Sequence, residues 1–208
     1  MKKILMLLLS MMALACHAQI ATTPTIKGHV LGETFEQFIV KSSPATHVQA
    51  QLCIETNDQK RYTVDGCSEF VAFVSSIANG SQSAELKCQD PIYGLGVCRD
   101  FRGYAKFAHN KLVELNIEIT DKAWSEALTD ATSKFGQPDE THSDTVQNVY
   151  GAKFDLQTAT WTKPDFLVVA FEKINVPYNL NRFIEITLTD HAYFQSEQAK
   201  KAHGSALD

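Results

Sequence analysis

Long apolar runs are missing from most of this 208-residue chain. Beyond residue 18 no stretch approaches the roughly 20 apolar residues that a membrane-spanning helix requires. Basic residues are also scarce: 19 Lys and Arg stand against 24 Asp and Glu, and the longest basic stretch is Lys200-Lys201. A chain without a cationic face is a poor non-specific ligand for nucleic acid or anionic lipid. Neither Gly-x-Ser-x-Gly nor Gly-x-x-x-x-Gly-Lys-Ser/Thr occurs, so the usual serine-hydrolase elbow and phosphate loop are absent. Gly94-Leu95-Gly96 lacks the third glycine, the strand and the helix of a dinucleotide fingerprint, and reads as a loop. No fixed short period exists, which argues against a solenoid.

What the chain does have begins at its first residues. Lys2 and Lys3 precede an apolar run, Ile4 to Ala15, broken only by Ser10 and followed by small residues up to Ala18. Positive start, apolar core and small-residue exit are the order of a secretory signal peptide over residues 1–18. Cleavage after Ala18 leaves 190 residues with 17 basic and 24 acidic side chains, a formal charge of −7. Residues 19–25 then read as a short linker, 26–119 as a first α+β unit with a Cys-bearing insertion, and 120–208 as a second, the two fused as one domain. The expected destination is the periplasm or the extracellular space.

Cleavage also resolves an odd cysteine count. Cys16 leaves, and Cys53, Cys67, Cys88 and Cys98 remain. An even number in an exported chain favours two disulfides, with three pairings open. Cys53–Cys67 and Cys88–Cys98 close the short local loops and are favoured on that ground. Spacings of 14, 21 and 10 do not fit a structural zinc site, whose ligands usually lie two to four residues apart. Cys16 has an alternative fate: Ala13-Leu14-Ala15-Cys16 resembles the lipobox of bacterial lipoproteins, with Leu one position late, and acylation there would supply a lipid anchor.

Along the mature chain, Ile26 to Leu31 suggests a first strand. Thr34 and Gln37 form a capping box before the apolar stripe Phe35, Phe38 and Ile39. Val48 to Thr56 suggests a strand carrying Cys53, and Ser68 to Ala78 a helix, with a strand through Phe70 to Val74 as its alternative. Tyr104 to Ala108, the turn His109-Asn110, and the alternation of Val113, Leu115, Ile117 and Ile119 with Glu114, Asn116 and Glu118 predict a hairpin with one dry and one wet face. Thr120 is placed to cap a helix whose stripe is Trp124, Ala127, Leu128, Ala131 and Phe135, stopped by Gly136 and Pro138. A loop over Gln137 to Asp144 then leads to strands at Val146–Tyr150, Ala152–Trp161, Phe166–Lys173 and Phe183–Leu188, and Asp190 to Ala202 closes as a helix. Ala105-Lys106-Phe107 recurs as Ala152-Lys153-Phe154. The fold class is therefore α+β: an antiparallel sheet with helices packed on one face, in two helix-plus-β-meander repeats.

The helix end Lys134-Phe135-Gly136-Gln137-Pro138 followed by a β-meander, with Leu31-Gly32-Glu33-Thr34 as the matching start of a first repeat, resembles small exported bacterial α+β domains. These are β-lactamase-inhibitor-protein-like modules and small outer-membrane assembly lipoproteins. The resemblance spans about half of the mature chain. It implies a helix pair on one face of an antiparallel sheet, and a protein that binds other proteins; no functional residue is carried over.

The chemistry-bearing residues support that direction. The histidines are scattered, and Asp139 to Asp144 is the one cluster of carboxylates with an imidazole. It has no calcium-loop spacing and reads as a solvated loop. Glu114 and Glu118 read as a wet strand face rather than a glycosidase dyad. Trp124 is expected in the core. Trp161, just before a turn, is the candidate exposed binding residue, with a core position as its alternative. No cofactor, metal or nucleic acid is expected. The leading expectation is a non-catalytic exported protein that binds another protein or an envelope component. The alternative is a secreted hydrolase whose residues, His142 and Asp144 among them, converge only in three dimensions.

Overall fold

The computed structural model describes residues 24–42, 83–87, 102–148, 150–174 and 182–204, together with positions 49, 51, 53, 67, 68, 71, 72 and 75. Residues 1–18, Cys16 among them, and Cys88 and Cys98 lie outside the described residues. Two two-residue strands, β1 (Thr25–Ile26) and β2 (His29–Val30), make a small hairpin through Lys27-Gly28. Helix α1 follows at Phe35–Ser42. Then come β3 (Ser83–Lys87), β4 (Arg102–Ala108) and β5 (Lys111–Ile119), helix α2 (Trp124–Phe135), four strands β6 (Glu140–Gln147), β7 (Lys153–Thr162), β8 (Phe166–Ile174) and β9 (Arg182–Asp190), and helix α3 (His191–Gly204).

The seven longer strands form one antiparallel sheet in the order β3-β4-β5-β9-β8-β7-β6. Each of α1 and α2 therefore precedes a meander, of three and four strands, and the meanders join where their last strands pair, β5 against β9. This is the α+β architecture expected from the sequence.

Local chemistry explains the elements. Thr34 Oγ1 accepts the Gln37 N–H at 3.3 Å while Gln37 Oε1 accepts the Thr34 N–H at 2.9 Å, the reciprocal capping box that starts α1. The hairpin turn holds His109 and Asn110 at φ 50° and 57°, as a two-residue turn matched to strand twist requires. Asn110 Oδ1 also accepts the Phe35 N–H at 3.1 Å, fixing α1 to the hairpin. Leu112 and the Gly32-Glu33 segment exchange two backbone hydrogen bonds of 2.8 Å. A bulge between Lys106 and Phe107 lets both Leu112 and Val113 bury.

Helices α1 and α2 cover one sheet face. Phe35 and Phe38 meet Phe107 edge-on at 5.1 and 5.4 Å, and Phe135 lies 5.9 Å from Trp161. Cross-strand pairs Leu115–Leu188 and Ile117–Ile186 form the floor at the β5–β9 junction. Burying such side chains contributes about 1.5–3 kcal/mol each. Cys53 and Cys67 join this core as a disulfide, with Val71 packed against it.

Five expectations are corrected. Ile26 to Leu31 is not one strand: Lys27 and Gly28, at φ 52° and 83°, turn the chain back between β1 and β2. Gln49, Gln51 and Cys53 are helical, not extended. Helix α2 begins after Ala123 rather than at Thr120; Glu126 Oε2 reaches back to the Ala123 N–H at 3.3 Å and does the capping. Residues 140–144 are strand, not loop: β6 runs Glu140–Gln147, paired without a break to β7. Trp161 is wholly buried, and its Nε1–H donates to the Gly136 carbonyl at 2.8 Å. Its polar atom is satisfied by the glycine that ends α2, so the ring can leave water at no hydrogen-bond cost.

Candidate functional site

The sheet face opposite α1 and α2 carries half-buried polar and aromatic side chains. Alternation along the paired strands places Tyr104 and Lys106 of β4, Glu114, Asn116 and Glu118 of β5, Glu185 and Thr187 of β9, Phe171 and Lys173 of β8, and Leu156 of β7 on it. Helix α3 reaches one end of this face, where the ionisation of Tyr193 feels Lys106 and Glu114. Burial is the main cause of the upward shift of the Tyr193 hydroxyl, reinforced by Glu197.

The two meanders place the same chemistry on this face. In β4, Lys106 Nζ lies 4.9 Å from the Tyr104 ring centre and 2.7 Å from Glu114 Oε1 of β5. In β8, Lys173 Nζ lies 4.9 Å from the Phe171 ring centre and 2.6 Å from Glu185 Oε1 of β9. Each is an aromatic-x-Lys pair on the next-to-last strand of a meander, answered by a Glu on the last. Between them Asn116, only 2 % exposed, donates from Nδ2 to Thr187 Oγ1 at 2.9 Å and to Glu185 Oε2 at 3.2 Å. Thr189 Oγ1 donates to Glu114 Oε2 at 3.4 Å. The seam is thus a line of satisfied polar groups flanked by Tyr104, Phe171 and Leu156, all half-buried. The recurrent Ala-Lys-Phe words fall on β4 and the start of β7, which occupy different places in their meanders, so they do not mark this repeat.

A second feature is a groove of about 630 Å³ on the helix side, between the β1–β2 hairpin, the ends of β4 and β5, and α2. Ile26, Ile119 and Phe135 line it, with Lys27, Arg102 and Lys134 also on its wall. Its described lining holds no histidine, cysteine or serine; the polar side chains there are Lys, Arg, Asp, Glu and Thr.

A buried polar cluster lies nearby in the chain. His29 Nδ1 is 2.6 Å from Glu33 Oε1, Lys41 Nζ donates to Glu33 Oε2 at 2.6 Å, and the His29 ring stacks on Phe38 at 4.1 Å. Both His29 and Glu33 are buried, which makes this a structural clamp between the first hairpin and α1. His142 and Asp144 do come together, Nε2 to Oδ1 at 2.9 Å, but on the exposed strand β6, with side chains 63 % and 68 % exposed. Neither lines the groove, and Ser143 points to the opposite side of the strand. Among the described residues no group of three or more His, Cys, Asp and Glu side chains is gathered for a metal ion, and no helix is long and apolar enough to cross a membrane.

Sequence reasoning missed the paired aromatic-Lys-Glu clusters. Their signal was present as Tyr104-x-Lys106 with Glu114, and Phe171-x-Lys173 with Glu185, but it becomes a motif only once the register is known. No protein-family model, curated protein or solved structure matches this chain.

Proposed function

We propose that this chain is an exported, non-catalytic protein that binds another protein or an envelope component through the open face of its sheet. The observation that carries the reading is the pair of aromatic-Lys-Glu clusters flanking the Asn116–Thr187 seam. Half-buried aromatic rings held by neutralised lysines give apolar contact area without an unpaired charge, which is the composition favoured at the centre of protein interfaces. The Cys53–Cys67 disulfide fits an oxidising compartment. The resemblance to exported protein-binding α+β domains points the same way.

The test is saturable binding of the mature domain, Gln19 to Asp208, to components of an envelope extract. The expected result is capture of a discrete partner at micromolar or lower concentration, lost in Phe171→Asp and Leu156→Asp variants that keep the parental circular dichroism. Absence of saturable binding, or binding that survives both substitutions, refutes the assignment to this face.

A further inference from the structure

We propose that β6 is a self-pairing edge, joining the sheets of two copies of this chain about a twofold axis. Strand β6 is the last in its sheet and pairs only with β7 among the described residues. It is eight residues long, carries no Lys or Pro, and keeps an unbroken register. Shortness, Lys, Pro and bulges are devices by which natural edge strands avoid new partners, and β6 uses none of them; its charged side chains, Glu140 and Asp144, act instead on the choice of register.

The ladder fixes which backbone groups face outward. Asn148 N–H donates to the Ala152 carbonyl at 3.0 Å, so 148 and 152 are a hydrogen-bonded pair. Antiparallel ladders alternate, which directs the even residues of β6 to β7 and the N–H and C=O groups of Thr141, Ser143, Thr145 and Gln147 outward. The Gln157 N–H, an odd residue of β7, points the other way, to Glu172 of β8, as this phase requires.

Registers centred on Ser143 or Asp144 overlap the most of β6, and side-chain charge selects between them. Centring the pair on Ser143 sets Ser143 against Ser143, Thr141 against Thr145 and His142 against Asp144, the last pair occurring twice. Centring on His142 instead places Glu140 opposite Asp144, and centring on Asp144 places Asp144 opposite itself. Like charges directly opposed are destabilising, whereas Thr–Thr and opposite-charge pairs are favourable. The exposed intrachain His142–Asp144 pair would become a four-membered cluster across the axis. The axis stands perpendicular to the sheet, so both open faces lie on one side and the dimer presents the proposed binding face twice. The pairing stands independently of whether that face binds a partner.

Cysteine cross-linking under mild oxidation tests the register. Hydrogen-bonded cross-strand residues have Cα atoms about 5.5 Å apart, inside the disulfide range of about 4.4–6.8 Å. Ser143→Cys should link to itself. Thr141→Cys and Thr145→Cys should link when mixed and not when alone. Gln147→Cys should not cross-link. Sedimentation of the unmodified mature chain should show a concentration-dependent dimer, abolished by Ser143→Pro, which removes an outward N–H and no ladder bond. A chain monomeric up to millimolar concentration, or Gln147→Cys linking as readily as Ser143→Cys, overturns the proposal.

Discussion

Trp161 offers the sharpest test of the architecture, because burial and surface exposure predict opposite behaviour. The ring is 0 % exposed, its Nε1–H is bonded to the Gly136 carbonyl, and Phe135 and Val168 are its buried neighbours in packing and register. Truncation to Ala removes the whole indole from a core position, a change that costs about 3–5 kcal/mol in well-packed proteins. Trp161→Phe keeps most of the volume. It loses one hydrogen bond, a net of about 1 kcal/mol, since Gly136 is exposed and its carbonyl can be hydrated. For a domain of this size each kcal/mol moves the melting temperature by about 2–4 °C. The expected shifts are therefore about 6–20 °C for Trp161→Ala and a few degrees for Trp161→Phe.

Urea titration followed by far-ultraviolet circular dichroism gives the free energies. Fluorescence of a Trp124→Phe variant isolates Trp161, which should emit at short wavelength and resist quenching by iodide. A Trp161→Ala variant within 1 kcal/mol of the parent, or a Trp161 emission that iodide quenches freely, would refute the burial and restore this residue as a surface anchor.

Other substitutions read separate parts of the fold. Gly103, at φ 136°, has the Asn116 carbonyl oxygen 2.0 Å from where a Cβ would stand, so Gly103→Ala forces the β4 and β5 backbones apart and should cost at least about 3 kcal/mol by thermal melt. Glu33→Ala leaves His29 buried without its carboxylate and should cost about 3 kcal/mol, whereas Lys41→Ala, at a 40 % exposed side chain, should cost about 1 kcal/mol or less in the same assay. The Thr162 N–H and the Lys163 ammonium hold the Asp139 carboxyl below its ordinary 3.8. A depressed folded value means that its stabilisation is full above the unfolded pKa and disappears as pH falls through the folded one. The stability difference between the parent and Asp139→Asn should therefore begin to shrink as pH falls below about 4 and disappear once the folded carboxyl itself is protonated, and a difference that grows on acidification contradicts the sign.

Where the sequence carried its own chemistry, the fold was legible. Thr34 with Gln37, His109-Asn110, and the alternation over Val113–Ile119 each encode a local geometry that tertiary context did not override. The misread elements lacked such a signal. Strand β6 is exposed on both faces, so ETHSDTVQ shows no apolar period, and its pairing with β7 is carried by the backbone. Ala123 has no capping oxygen, which drew attention to Thr120 instead, while Glu126 supplied the bond. Trp161 abuts a turn in sequence, yet the end of α2 folds over it and takes its N–H. The face itself was foreseen as wet, but Asn116 is buried there, because Thr187 and Glu185 come from a strand about 70 residues away.

The pairing of charges on the open face also constrains how it can bind. Lys106 and Lys173 are each already within salt-bridge distance of a Glu and above a ring, so the clusters project little net charge. A partner that recognised bare lysines would have to displace Glu114 and Glu185, both largely buried carboxylates that would then lose their cations. Leaving a partly buried charge uncompensated is expensive, so the intact pairs favour recognition by the rings and by Leu156. Interactions of that kind are weakly screened, since the Debye length matters only for exposed, unpaired charge. Affinity through this face should therefore change little between about 0.1 and 0.5 M salt. A steep loss of binding over that range, measured by calorimetry, would mean that the partner engages the acidic surface of the chain instead of the aromatic clusters.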